Sequence, residues 1–387
     1  MSLEGAHTAT GAGPVGAGTV GAEAAGIDPH LFGVLAEHVR VAVEHGPLPS
    51  AQLAVARGGR LAEFRCFGDT RPALRYVLQS VGRTELASIA WRLLGDGQLG
   101  LDERVAEIVP EFATFGKDAI TVEHVLLHTA GLPFAPLAYP KMLDHDRRMA
   151  AFGRWRLDYE PGSRLQFHLT SAAWIIAELV ERRTGLSAAE YLWTRISEPL
   201  GLGLELGVPV ERQPGTVAPM IATDRGSDDQ EPDPWGPWYL SRAEVLAAGE
   251  PSHSMVGTAA DVVLHAQAVY HSGLWDGPTV AEATRIRLTA VPHGDQLYGG
   301  GSTPANMGLF VMLSGDTGGN WMPTTGSPRI WGHGGAAYQL AFHDPDTDVS
   351  FACLSNGYPL SGYDHSRRGT AYLTNLANLA ADLVTDV

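Results

Sequence analysis

The sequence predicts an α/β (α+β) fold in which both chain ends supply strands to one sheet, with helices against it and a mostly helical domain inserted between. Three observations carry this. Short apolar runs split by a Gly58-Gly59 turn lie near the start. Comparable runs return only after about residue 305. The long stretch between them repeats apolar residues at helical spacing. The expected division is a disordered tail over 1–26, a sheet domain from 27–97 and 285–387, and a helical domain with long loops over 98–284.

The tail is Gly, Ala and Thr with few large side chains, which bury too little surface to offset ordering entropy. Its Gly11-Ala-Gly13-Pro-Val-Gly16 formally matches a dinucleotide-binding GxGxxG, but no strand precedes it and the glycines continue beyond the pattern. Low complexity explains it better. From Asp28 onward Phe32, Leu35, Val39 and Val43 mark one helix face. Ala51–Ala56 and Arg60–Phe64 read as two strands, and Ala73–Leu78 as a third strand or a lead-in to Ser80. Leu86, Ile89, Ala90, Leu93 and Leu94 then predict a buried helix, stopped by Gly95 and Gly97.

Helices are expected at Val122–His128, Ser171–Thr184 and Thr258–Tyr270, with a surface loop over 225–240. Strands follow at Leu309–Leu313, Tyr338–His343 and Val349–Leu354. A final helix carries Leu373, Leu376, Ala380 and Leu383.

The 387 residues include 27 Lys and Arg against 43 Asp and Glu, a formal charge of −16. Such a surface repels phosphate backbones and anionic membranes, so neither nucleic acid nor membrane is an expected partner. No stretch is long and apolar enough to span a bilayer, and the N-terminus lacks the basic start and apolar core of a signal peptide. The expected location is cytoplasmic. Two cysteines, Cys66 and Cys353, allow one disulfide but no disulfide framework, and Cys353 reads as a buried, inert thiol.

Several segments, in order and at near-normal spacing from about 50 to 357, resemble one known family. Ser80-Val-Gly-Arg83, followed by the Gly97–Val105 run, is similar to the SxxK helix of class C β-lactamases and related esterases. Ile120-Thr-Val-Glu-His-Val-Leu-Leu-His128-Thr-Ala-Gly131 resembles the family's "iTv.hLLxHtSG". Glu160-Pro-Gly162-Ser-Arg-Leu-Gln-Phe167 resembles its approach to a tyrosine. Glu181-Arg-Arg-Thr-Gly185, Pro199-Leu-Gly201-Leu and Thr258-Ala-Ala-Asp261 resemble "ExxTG", "PLGL" and "TaaD". Gly332-His333-Gly334-Gly335 resembles the HxG form of the third motif. The resemblance implies the serine β-lactamase/penicillin-binding-protein fold, with an antiparallel sheet.

By that resemblance Ser80 is the nucleophile position; the plain alternative is a helix N-cap serine. Arg83 stands where the family has lysine. Arginine cannot be deprotonated in a protein, so it cannot activate Ser80, although it can hold an anion or form a structural ion pair. Phe167 stands at the tyrosine position and has no proton to exchange. Its neighbour His168 is a candidate base, as is His333. The resemblance also implies an oxyanion hole from the N–H groups of Ser80 and Ala336, with Gly334 and Gly335 giving a substrate room along the strand. His253 either projects into the cleft or ends a loop. His124 and His128 lie one helical turn apart without an HExxH pattern, so packing is expected there and no metal; Asp144-His145-Asp146 is only a faint metal signal. No cofactor is implied.

Three functions remain open. One is a serine hydrolase or acyltransferase that forms acyl-Ser80 from a small-molecule ester, amide or thioester, a histidine serving as base. Another is a non-hydrolytic cyclase, isomerase or lyase. The third is a catalytically silent binding protein using the same pocket.

Overall fold

The structure is a computed structural model and describes residues 18–137, 139–223, 242–288, 306–316, 321–336, 338–358 and 369–384. The loop expected over 225–240 lies outside the described residues.

Helix α1 (Pro29–Glu44) begins where Asp28 accepts hydrogen bonds from the N–H groups of His30 (2.7 Å) and Leu31 (3.2 Å). Proline at its first position has no N–H to leave unbonded. Its buried face is Phe32, Leu35, Val39 and Ala42, so Ala42 takes the place expected of Val43. Gly33 sits inside this helix with nothing within 4 Å of where a Cβ would be. Gly33→Ala is therefore expected to raise stability by roughly 0.5–1 kcal/mol, read as a higher melting temperature.

β1 (Ser50–Arg57) and β2 (Arg60–Gly68) pair as a hairpin across Gly58 and Gly59, both at positive φ (62° and 73°). The short β3 (Tyr76–Val77) leads into α2 (Arg83–Gly95). The helical half follows, with α3 (Val105–Ile108), α4 (Val122–Leu126), α5 (His145–Arg154) and α6 (Ser171–Thr184). After β4 (Ile221–Ala222) come β5 (Val256–Gly257) and the Ala259–His271 helix, capped by Thr258. The chain then returns as β6 (Met312–Leu313), β7 (Trp331–Gly335), β8 (Gln339–Asp344), β9 (Val349–Ser355) and β10 (Gly357–Tyr358), and closes with the helix Thr370–Ala381.

The main sheet has six strands in the order β2-β1-β9-β8-β7-β6, each pair antiparallel. Both chain ends build it, as expected. β1, β8 and β9 are covered on both faces, which is why they read as nearly continuous apolar runs. One core holds α1, the C-terminal helix and one sheet face; a second, larger core joins the other face to α2, α6 and the Ala259–His271 helix.

Three expectations need correction. Residues 18–26 are not a loose tail: the N–H groups of Val20 and Gly21 donate to the carbonyls of Leu61 and Ala62 on edge strand β2, and Ala22 and Ala25 are buried. Covering a sheet edge satisfies groups that would otherwise be open, and this outweighs the poor composition. Only Met312–Leu313 of the expected 309–313 strand is strand, because Phe310 adopts φ 67° and donates its N–H to Leu126 O at 2.7 Å. Helix α4 stops at Leu126, since His128 takes φ 57°. Cys66 and Cys353 are both free thiols, and burial pushes that of Cys353 up to about 12, as an inert core thiol requires.

Candidate active site

The turn carrying Ser80 is held from two directions. β3 pairs with β5, and Leu78 donates its N–H to Met255 O at 2.8 Å. From the main sheet, Gln339 Nε2 donates to Val77 O (2.9 Å) and to Ser355 O (2.7 Å). Gln79 then adopts a left-handed φ of 50°, a costly conformation kept only where surroundings enforce it. Ser80 lies on the 3-10 turn Gln79–Gly82 that precedes α2 rather than inside the α-helix itself. Gly82 lets Met255 pack close to the turn: a Cβ there would stand 3.0 Å from Met255 Cβ. Ser80 does not act as an N-cap: neither the turn nor α2 has a side-chain cap. Its side chain is nearly buried, and no hydrogen bond to Oγ is found among the described residues.

Arg83, one turn on, is fully buried. Its guanidinium donates to the carbonyl oxygens of His168 (3.4 Å) and Leu169 and lies 4.4 Å from the centre of the Phe167 ring and 5.4 Å from that of Phe310. The two unexpected residues, Arg83 and Phe167, are thus packed on each other as a cation–π pair. A lysine facing a tyrosine has a proton to move; this pair has none.

His168 must be corrected as a candidate base. Its Nδ1–H donates to Gln166 O (2.7 Å) and its Nε2 accepts from Leu132 N–H (2.9 Å), so both ring nitrogens are committed to backbone. Burial, partly opposed by the Gln166 bond, holds it down to about 4. His128 is likewise structural: Nδ1 accepts from His168 N–H at 3.1 Å, and its ring packs 5.0 Å from Phe310. His124 caps its own helix through Thr121. Asp144 caps α5 through Arg147 N–H (2.8 Å). His145, from that same faint metal signal, lies with Glu178 and Glu181 instead, where Arg182 already holds Glu178 at 2.7 Å.

On β7 the ring of His333 is 5.9 Å from that of Phe167. Its Nδ1–H donates to Gly334 O at 2.5 Å, which leaves Nε2 as a buried acceptor with no partner among the described residues. Burial first, and the Arg83 charge second, push this imidazole down to about 3. The glycines beside it do not leave the space expected for a substrate. A Cβ on Gly334 would sit 2.2 Å from the Trp321 ring, so protein fills that side. Gly335 lies against Leu78 O and Gln339, where a Cβ would approach to 3.2 and 3.1 Å; its role is to let β7 close on the Ser80 turn. Ala336 follows directly, and neither its N–H nor that of Ser80 has a backbone acceptor among the described residues.

His253 is buried in the turn before β5, closed by Ser254 N–H to Glu250 O at 3.0 Å. It ends that turn with its side chain buried. Its Nδ1 lies 2.7 Å from Ser252 Oγ and 3.5 Å from Glu250 Oε2. Burial lowers its pKa, Glu250 raises it again, and Arg83 adds a smaller lowering. Glu250 escaped the sequence reading, although an acidic residue three before a histidine in a Pro-containing turn was available as a signal.

Comparison with known proteins agrees with this architecture. The family model described as Beta-lactamase matches residues 35–375. "Esterase/beta-lactamase LipL" of Mycobacterium tuberculosis is 26% identical over 313 residues, 72% of this chain and 69% of that protein. "Penicillin-binding protein 4" of Amycolatopsis lactamdurans is 29% identical over 220 residues, 54% of each chain. The matches span between 54% and 69% of the lengths of these curated relatives. A penicillin-binding-protein homologue from Caulobacter crescentus superposes with a TM-score of 0.77 at 25% identity, covering 92% of this chain and 98% of that one.

Proposed function

The chain belongs to the beta-lactamase family, and from that premise we propose that it is a serine hydrolase or acyltransferase acting on a small-molecule ester, amide or thioester through acyl-Ser80. The observation that carries this is the Ser80 turn: a left-handed Gln79, and, among the described residues, a hydroxyl without a hydrogen-bond partner and two backbone N–H groups, of Ser80 and Ala336, without backbone acceptors. A carbonyl between those two groups would have its developing negative charge stabilised in a water-poor site. Oγ attacks the carbonyl carbon, the leaving group departs with a proton, and water or a second acceptor takes the acyl group from Ser80.

The acidic surface favours uncharged or cationic substrates over polyanions. No helix among the described residues is long and apolar enough to cross a membrane.

The test is intact-mass spectrometry after incubation with a fluorophosphonate, with Ser80→Ala as control. A single adduct on the wild type and none on Ser80→Ala is expected. Absence of any adduct on folded wild-type protein would overturn the covalent reading. The same pocket would then bind or convert ligands non-covalently, a reading favoured by the Arg83–Phe167 pair, which has no proton to exchange with a substrate.

A further inference from the structure

We propose that the Glu250–His253 pair replaces the proton-handling groups this site lacks, with His253 Nε2 as the general base for Ser80 and Glu250 as its positioning residue. The inference rests on Ser80 being the nucleophile.

Ser252 Oγ donates its proton to Glu250 Oε1. Ser252 Oγ therefore has only lone pairs to offer His253, so His253 Nδ1 must carry the ring proton toward Ser252 and Glu250. In the neutral imidazole Nε2 is then unprotonated, and it bonds to none of the described residues. This is the tautomer a general base needs, oriented by a carboxylate behind it.

His333 has the same tautomer but a different backing. Among the described residues the Gly334 carbonyl alone stands behind its Nδ1, and the Arg83 charge bears on it. A proton gained by His333 would meet no carboxylate among the described residues. A proton gained by His253 meets the buried Glu250 carboxylate 3.5 Å away. Burial alone would push Glu250 up, but its bonds to His253 and Ser252 outweigh this and hold it down, in the charged form.

Position supports the assignment. Met255, two residues after His253, receives the Leu78 N–H and packs against Gly82, so it touches the residues on both sides of Ser80. Arg83, one helical turn from Ser80, is close enough to perturb His253, and His253 in turn perturbs His333. The groups facing His253 are Glu250 and Ser252 from its own turn, Arg83 from α2 and His333 from β7.

In the step proposed, the Ser80 Oγ–H proton passes to His253 Nε2 as Oγ bonds the carbonyl carbon and the C=O pair moves onto oxygen. Collapse of the intermediate breaks the bond to the leaving group, which takes the proton from Nε2. Water then repeats the sequence on acyl-Ser80 and returns the serine.

The experiment measures the rate of fluorophosphonate labelling at Ser80 against pH for full-length wild type, His253→Gln, His253→Gly with and without added imidazole, Glu250→Gln, Ser252→Ala and His333→Gln. Circular dichroism checks that each is folded. His253→Gln is expected to slow labelling by roughly 10²–10⁴-fold, and imidazole to restore part of the rate to His253→Gly. His333→Gln should slow labelling far less than His253→Gln and leave the pH at which the rate rises unmoved. Labelling needs neutral His253, so its rate rises with pH. Removing the Glu250 charge should shift that rise to lower pH, which a purely structural role would not do. Should Glu250→Gln fail to fold, Ser252→Ala reports the same coupling. Wild-type labelling undiminished in folded His253→Gln would overturn the dyad and leave Ser80 as nucleophile. Wild type that does not label at all would take both proposals down.

Discussion

The midpoint of urea unfolding is expected to fall steeply between about pH 7 and pH 5, because this core buries several histidines in their neutral form. Burial lowers His168 to about 4 and His265, His333 and His343 to about 3, with the Arg83 charge adding to the effect at His168 and His333. Each of these rings has a neutral role: His265 Nε2 meets Ser88 Oγ at 3.0 Å, and His343 Nδ1 meets Ser350 Oγ at 2.9 Å. An imidazole depressed in the folded state is protonated more readily in the unfolded chain. Its contribution is complete above about pH 6.5 and is lost as pH falls toward the folded value. At pH 5 each of the four costs roughly 2 kcal/mol, against a typical total stability of roughly 5–15.

Glu85 works in the other direction. Burial pushes its carboxyl up to about 7, despite the lowering effect of a hydrogen bond from Thr84. A raised carboxyl contributes fully below about pH 4.5, and its contribution is lost as pH rises through 7. It offsets roughly 3 kcal/mol of the histidine loss on the way down from pH 8, leaving a net fall on the order of 5 kcal/mol by pH 5. Urea titrations at about pH 7.5, 6.5, 5.5 and 5 measure this directly. His343→Gln, which keeps a polar partner for Ser350, should flatten the dependence. A midpoint that stays level over this range would show that these rings are not held neutral.

Gly332→Ala is expected to abolish folding, or to cost well above about 4 kcal/mol. Gly332 pairs with Phe342 across the β7–β8 ladder, and a Cβ there would stand 2.1 Å from Ala341 O and 2.7 Å from Phe342 Cα. Both atoms are backbone of a central strand, so neither can swing away without breaking the ladder. Gly334→Ala is the instructive contrast, since its 2.2 Å clash is with the Trp321 side chain, which can turn aside at lower cost. Soluble yield and thermal melts of Gly332→Ala, Gly334→Ala and Gly33→Ala should rank in that order, lowest first. A Gly332→Ala variant melting near wild type would contradict the strand contact. The consequence for function is direct, because β7 ends beside the Ser80 turn, with Gly335 against Leu78 O.

Periodicity and turn chemistry made most of the fold legible in the chain itself. The helix Ser171–Thr184 was readable to its ends, and the hairpin around Gly58-Gly59 to within a few residues. These elements depend on local rules: apolar spacing, a capping residue, glycine where φ must be positive. Motif order then identified Ser80, Arg83, Phe167 and His333 as neighbours although more than 250 residues separate the first and last.

What the chain alone left undecided was the state of each histidine. Whether an imidazole can take a proton depends on what its two nitrogens already bond, and those partners come from distant segments. Leu132 reaches His168 across 36 positions. Arg83, from α2, acts on His253 and on His333. Only packing could show that His168 is spoken for, that Trp321 fills the space beside Gly334, and that Glu250 stands behind His253. The sequence by itself determined the fold and the positions of Ser80, Arg83, Phe167 and His333, but neither Glu250 nor the commitment of His168 to backbone. The tertiary structure decided which of them has a free lone pair, because desolvation and hydrogen-bond partnership arise only when segments far apart in the chain exclude water from one another.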